Sequence, residues 1–208
     1  MILIGQYDSP FVRRVGIALT YYGLAFEHRA WSAFDDAFRI RPFNPLVRVP
    51  TLLLDSGEAL IESTYILDYI DSLAPAELAL LPKVEPERRR VFRAVALATG
   101  LGDKAVNLFY EQRMHKTASD IWEERLRAQI DGALNVLEME RAAVAAPYWF
   151  GDRLTHADIA VAVMWRFIAD AHPGLVAPED YPALAAMAAR LEVTELFRTI
   201  SQPFIPPN

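Results

Sequence analysis

What most constrains this chain is a change of pattern partway along it. Roughly the first 75 residues alternate short β-type runs with short helical ones, and beyond Pro82 only helical periodicity remains. Met1–Gly5 is an apolar run of strand length, and Phe26–Ala30 is a second. Between them Val12, Val15, Leu19 and Tyr22 recur at helical spacing until Gly23 stops the run, which makes a β-α-β unit. Thr51–Leu54 and Ala59–Ile61 flank the turn-rich Asp55-Ser56-Gly57-Glu58, the pattern of a hairpin, and Ile66, Tyr69, Ile70 and Leu73 predict a closing helix. Pro75, Pro82 and Pro86 bracket a linker, with Pro86 suited to the first position of a long helix. Helical runs follow at 86–115, 120–143, 156–169 and 183–191; the second carries Trp122, Leu126, Ile130, Ala133, Leu134 and Leu137 on one stripe. The pattern predicts an α+β chain of two domains, a β-α-β-β-β-α domain over 1–76 and an all-helical domain over 86–208, joined by a linker at 77–85.

Several classes of function are excluded before any motif is weighed. The chain has no cysteine, so it has no disulfide framework, no thiolate metal site and no cysteine nucleophile. Its formal net charge is -6 and no run of five like charges occurs, which leaves no basic footprint for nucleic acid. No stretch approaches the ~20 uninterrupted apolar residues of a membrane span. The start MILIGQYDSP lacks the basic head and apolar centre of an export signal, so a cytoplasmic protein with no membrane partner is expected. The four histidines are scattered singly and no H-E-x-x-H, phosphate loop or G-x-S-x-G occurs, so no metal is expected. Gly100-Leu101-Gly102 lies inside a helical pattern with no strand before it, and reads as a kink or close helix contact rather than a dinucleotide loop.

Four segments carry polar chemistry. Asp8-Ser9-Pro10-Phe11-Val12-Arg13-Arg14 follows the first strand; Ser then Pro is a good N-cap and first helical position, and the same hydroxyl can donate to an anion. Asn44-Pro45-Leu46-Val47-Arg48-Val49-Pro50-Thr51 enters the third strand and reads on its own as a Pro-rich loop. Glu62-Ser63 opens a helix, as a cap or as an acid beside an anion-binding terminus. Gly151-Asp152-Arg153-Leu154-Thr155-His156-Ala157-Asp158-Ile159 holds a capping box, with Thr155 as cap, Asp158 reaching back, and Leu154 placed to staple onto Ile159. Thr155 and Asp158 are structural on this reading, and His156 is not catalytic. Phe109, Tyr110 and Met114, with Phe204 in the tail, read either as core or as the lining of an apolar substrate site.

The order β-α-β, β-β-α in under eighty residues is that of the thioredoxin fold. The first three polar segments, in that order, resemble the motif regions of the glutathione transferase superfamily, especially its bacterial serine-type members, and the fourth resembles the capping box of a buried helix in that family. The resemblance implies a thioredoxin-like domain that binds glutathione as co-substrate, a helical domain that receives a small apolar electrophile, and no metal. It implies Ser9 as the catalytic hydroxyl, with Tyr7 as the alternative because tyrosine-type members place a phenol at the end of the first strand. Ser9, Phe11, Arg48, Val49, Pro50, Glu62 and Ser63 form the implied glutathione site. Pro50 is then cis, and Val49 pairs its backbone with the cysteinyl unit like a short added strand. Glu62 meets the γ-glutamyl ammonium and Ser63 its carboxylate. Where the family often has Gly and then Lys or Gln, this chain has Val47 and Arg48, and Arg48 still supplies a cation. Detoxification and a homodimer are implied by resemblance alone. A non-catalytic interaction protein of the same fold, a glutathione-dependent isomerase and a reductase using two glutathione molecules are the alternatives.

Overall fold

The computed structural model describes residues 1–206. They divide into two units, Met1–Leu80 with the tail from Val193, and Leu81–Glu192. The first unit runs β1 (Ile2–Ile4), α1 (Pro10–Tyr21), β2 (Glu27–Arg29), α2 (Ala37–Ile40), β3 (Thr51–Leu53), β4 (Ala59–Ile61) and α3 (Ser63–Leu73). The sheet order is β2-β1-β3-β4, with β1 parallel to β2 and antiparallel to β3, and β3 antiparallel to β4. This is the expected order with one short helix added. Leu3 and Leu52 face each other across β1 and β3, and both are fully buried with Val12, Val15 and Leu19 of α1 and Ile66 and Ile70 of α3. The hairpin closes with Leu54 N–H donating to Glu58 O at 2.8 Å, and Gly57 takes φ 89°, a conformation open to glycine at little cost.

The second unit holds α4 (Glu87–Met114), α5 (Asp120–Ala142), α6 (His156–Ala171) and α7 (Pro182–Glu192). Helix α6 is its centre: twelve of its sixteen residues are buried, and it packs on α4 and α7. Pro86 proves to be the N-cap of α4, one position before the helix begins. A methyl at Gly102 would collide with the Met164 thioether, so this glycine marks a close approach of α4 and α6, whereas Gly100 has nothing within 4 Å of its Cβ position. On α5 the buried stripe is Leu126, Ile130, Leu134 and Leu137, whereas Trp122, in the first turn, stands exposed.

A last short helix, α8 (Glu195–Thr199), returns with the tail to the first unit, so the helical domain does not run on to the end of the chain as its periodicity suggested. The cause is a polar contact that helical spacing cannot encode. Buried Arg13 on α1 donates from Nε to Ile200 O at 2.7 Å and from Nη2 to Phe197 O at 3.0 Å. The other boundary falls at Leu80 rather than Glu77 because the Tyr22 hydroxyl donates to Asp71 and accepts from the Leu80 N–H at 2.6 Å, holding the start of the linker to α1 and α3.

Candidate functional site

Ser9 is the N-cap of α1 and Pro10 its first residue. The Ser9 N–H donates to Gln6 O at 3.2 Å and its Oγ accepts from Val12 N–H at 3.5 Å, so the hydroxyl proton remains to be donated elsewhere. The turn that carries Ser9 needs Gly5. That residue has φ 130°, and a Cβ there would lie 2.5 Å from Val12 Cγ2 and 2.8 Å from Val49 Cβ. One glycine thereby lets the end of β1, the first turn of α1 and the loop before β3 close on one another.

The loop before β3 is organised by Asn44, which sequence reasoning passed over. Its side chain, 1% exposed, donates to Arg48 O at 2.9 Å and Thr51 Oγ1 at 3.1 Å and accepts from Leu46 N–H at 3.0 Å. The only signal in the sequence was its place at the head of the Asn-Pro segment. The Val49–Pro50 bond is cis, and Val47 takes φ 50°. A β-branched residue rarely adopts that angle and glycine adopts it freely, which explains the glycine expected there from the family pattern.

Glu62 has φ 68° and ψ 117° at the head of α3, and its carboxylate makes no capping bond. Instead its Oε1 lies 3.1 Å from Arg48 Nη1, both side chains being about half exposed. Ser63, the first residue of α3, is buried, and the helix above it is 11 residues long, so its N-terminal N–H groups present a positive end. Phe11, Arg48, Val49, Pro50, Glu62 and Ser63 all line one cleft. The structure therefore gathers six of the sequence-predicted residues around a site with a carboxylate, a guanidinium and a helix terminus, a set able to hold a small zwitterion with an extra carboxylate. Ser9 stands at the α1 terminus two residues before Phe11.

Tyr7 is placed differently. Its ring stacks on His28 at 3.8 Å, and its Cε1 lies 2.8 Å from where a Cβ at Gly16 would be. Gly16 is seven residues along α1 from Ser9, roughly 10 Å at helical rise. Burial pushes the Tyr7 phenol up to about 12.

In the second unit Phe109 is half-buried, with edge contacts to Tyr110 and His172, and Tyr110 and Met114 are exposed at the end of α4; Phe204 lies in the tail of the first unit. Asp158 accepts from Thr155 N–H at 2.9 Å and Thr155 Oγ–H at 2.7 Å, completing the expected capping box. It also accepts from Trp149 N–H at 2.7 Å, a contact no local pattern announced. Burial raises the Asp158 carboxyl above the usual range against the pull of those hydrogen bonds. Among the described residues no group of three or more His, Asp or Glu is arranged to hold a metal ion, and no helix is long and apolar enough to cross a membrane.

Comparison with known proteins agrees with this fold. Residues 3–78 match the family model for the glutathione S-transferase N-terminal domain, and residues 120–186 that for the C-terminal domain. A GST-like protein of Escherichia coli, YibF, itself uncharacterised, is 36% identical over 66% of this chain and 68% of its own. Mouse maleylacetoacetate isomerase is 26% identical over 100% of this chain and 94% of its own. Among solved structures, a glutathione S-transferase from Methylobacterium radiotolerans in complex with glutathione sulfonate superposes with a TM-score of 0.89 at 30% identity, covering 100% of this chain and 98% of that one.

Proposed function

The chain belongs to the glutathione S-transferase superfamily, and on that premise we propose that it is a glutathione transferase in which Ser9 stabilises the thiolate of bound glutathione for attack on a small, largely apolar electrophile. The observation that carries this reading is the gathering of Phe11, Arg48, Val49, Pro50, Glu62 and Ser63 in one cleft beside the Ser9 turn. Glutathione offers one ammonium and two carboxylates. Glu62 takes the ammonium, Ser63 and the start of α3 take the γ-glutamyl carboxylate, and Arg48 takes the glycyl carboxylate. The Val49 backbone aligns the cysteinyl unit between them. Arg48 and Glu62, paired with each other at 3.1 Å, exchange that contact for the two ends of the ligand.

A free thiol titrates near 8.5, so neutral-pH chemistry requires help. With its acceptor side turned to Val12 N–H, the Ser9 hydroxyl donates to sulfur, and the positive end of α1 adds to it. The proton leaves to solvent, the sulfur lone pair forms the new S–C bond, and the electrons of the electrophile depart with its leaving group or move onto an adjacent atom. Tyr7 is left out of this step, because its ring lies over Gly16 and its phenol is a poor proton donor.

The full-length match to a maleylacetoacetate isomerase favours one second reading, in which the same thiolate adds to a double bond and is expelled after rotation. Product analysis separates the two, since a transferase consumes glutathione in step with the electrophile and an isomerase regenerates it. The central test is a pH series of thiolate absorbance and kcat. Ser9→Ala is expected to raise the bound thiol's pKa by about one to two units and to lower neutral-pH turnover about ten- to hundredfold, with recovery at higher pH. Tyr7→Phe is expected to behave as the parent. A shifted Tyr7→Phe profile beside an unshifted Ser9→Ala profile would move the role to the phenol.

A further inference from the structure

We infer that the chain from Phe197 onward is a strap that positions the Ser9 turn, with Gln202 as its positioning residue; the inference rests on the reading of Ser9 given above. Four hydrogen bonds carry it, all within the first unit. Two residues before Ser9, the Tyr7 N–H donates to Gln202 Oε1 at 2.8 Å. One residue before it, Asp8 Oδ2 accepts from the Ile205 N–H at 3.1 Å. Four residues after it, Arg13 donates to Ile200 O and Phe197 O. The active turn is thus gripped on both sides by chain 184 to 197 residues away. Apolar packing backs the polar contacts. A Cβ at Gly16 would lie 2.9 Å from Ile200 Cγ2 and 2.8 Å from the Tyr7 ring, so tail, Tyr7 and α1 meet at one point.

Apart from the tail, the turn is held by the stacking of Tyr7 on His28 and by the bonds of Ser9 to the first turn of α1. Strand β1 ends at Ile4, and the Tyr7 N–H lies beyond the sheet ladder. Its partner is the Gln202 side chain rather than a neighbouring strand. Without that acceptor the segment from Gln6 to Ser9 keeps one internal bond, from Ser9 N–H to Gln6 O at 3.2 Å. A hydrogen bond to sulfur weakens steeply with distance and angle, so a loosened turn costs thiolate stabilisation before it costs fold. The proposed ligand-binding side chains at Arg48, Glu62 and Ser63 stand on other segments, so binding of glutathione is not expected to follow.

The test compares Gln202→Leu, which removes the acceptor, with Gln202→Glu, which keeps one, using glutathione and an aryl halide. Thr194→Ala serves as a control because it weakens the cap of α8, where Phe197 N–H meets Thr194 Oγ1, without touching the Tyr7 contact. Ser9→Ala serves as the reference. Gln202→Leu is expected to raise the pKa of the bound thiol by about half to one unit, to lower kcat at neutral pH about three- to tenfold with recovery at higher pH, and to leave KM for glutathione within about twofold. Gln202→Glu should retain most of the parent activity, and Thr194→Ala should lower Tm with no shift of the profile. Exchange of the Tyr7 amide proton should quicken in Gln202→Leu. A Gln202→Leu profile that matches the parent while Ser9→Ala is shifted overturns the strap and leaves the Ser9 reading standing. A shift in Thr194→Ala as large as in Gln202→Leu reduces the effect to general destabilisation and also overturns it. Unshifted profiles in both Ser9→Ala and Gln202→Leu overturn the strap and the Ser9 reading together.

Discussion

The starts of α3 and α6 use the same ingredients, a carboxylate and a hydroxyl at a helix N-terminus, and direct them in opposite ways. At α6 Asp158 is fully buried, and it accepts from both the N–H and the hydroxyl of Thr155 and from the Trp149 N–H. At α3 the Glu62 carboxylate is half exposed, caps nothing, and meets the guanidinium of Arg48, on a backbone held at φ 68°. The first arrangement closes on itself and holds the fold. The second keeps its charge turned outward, at the cost of a sparsely populated backbone conformation. Residue type at a helix start therefore does not separate structural from functional acids. What separates them is where the hydrogen bonds go.

The largest expected effect lies on the structural side. Asp158→Ala strands the Trp149 and Thr155 N–H groups in the interior and should cost about 2–4 kcal/mol of unfolding free energy, with glutathione affinity unchanged; denaturant melts and calorimetry measure the two. Burial also raises the Asp158 pKa in the folded state, so its contribution is fullest below the ordinary carboxylate value and declines as pH rises through the raised one. The stability margin of the parent over Asp158→Asn should accordingly be wider near pH 4 than near pH 7. A variant that melted like the parent yet failed to bind would break the comparison.

On the functional side, Glu62→Ala and Ser63→Ala should each weaken glutathione binding by about 1.5–3 kcal/mol, the range for hydrogen bonds to charged groups. Tm should stay close to that of the parent for Glu62→Ala, because its carboxylate supports no helix N–H. Affinities within a factor of two of the parent would remove the γ-glutamyl site. The smallest effect concerns the backbone. Alanine keeps the strain at position 62 and glycine relieves it, so Glu62→Gly should be about 0.5–1 kcal/mol more stable than Glu62→Ala, with both equally poor in binding. Equal stability would mean that the chain bears no strain at that angle.

Much of this was legible because it is local. Helix α1 begins where Ser9-Pro10 says it should, β3 and β4 flank the Asp55–Glu58 turn, and Thr155 and Asp158 make the box their spacing announced. Each depends on residues within a few positions of one another, where spacing and steric preference act directly. Trp122 shares the stripe by spacing yet stands exposed, because periodicity assigns a side to a residue and is silent on how far the packing partner extends along the helix.

Sequence by itself determined the order of elements, the main capping residues and the set of side chains from which the proposed glutathione site is drawn, since these follow from backbone sterics and side-chain chemistry. Only the tertiary structure decided which of those side chains turn outward. It turned Glu62 from its own helix to Arg48, laid Tyr7 over Gly16 and His28, and brought Gln202 and Ile200 back to Tyr7 and Arg13. Contacts between residues nearly 200 positions apart leave no periodic trace, because they arise when the chain's buried polar groups seek partners in three dimensions.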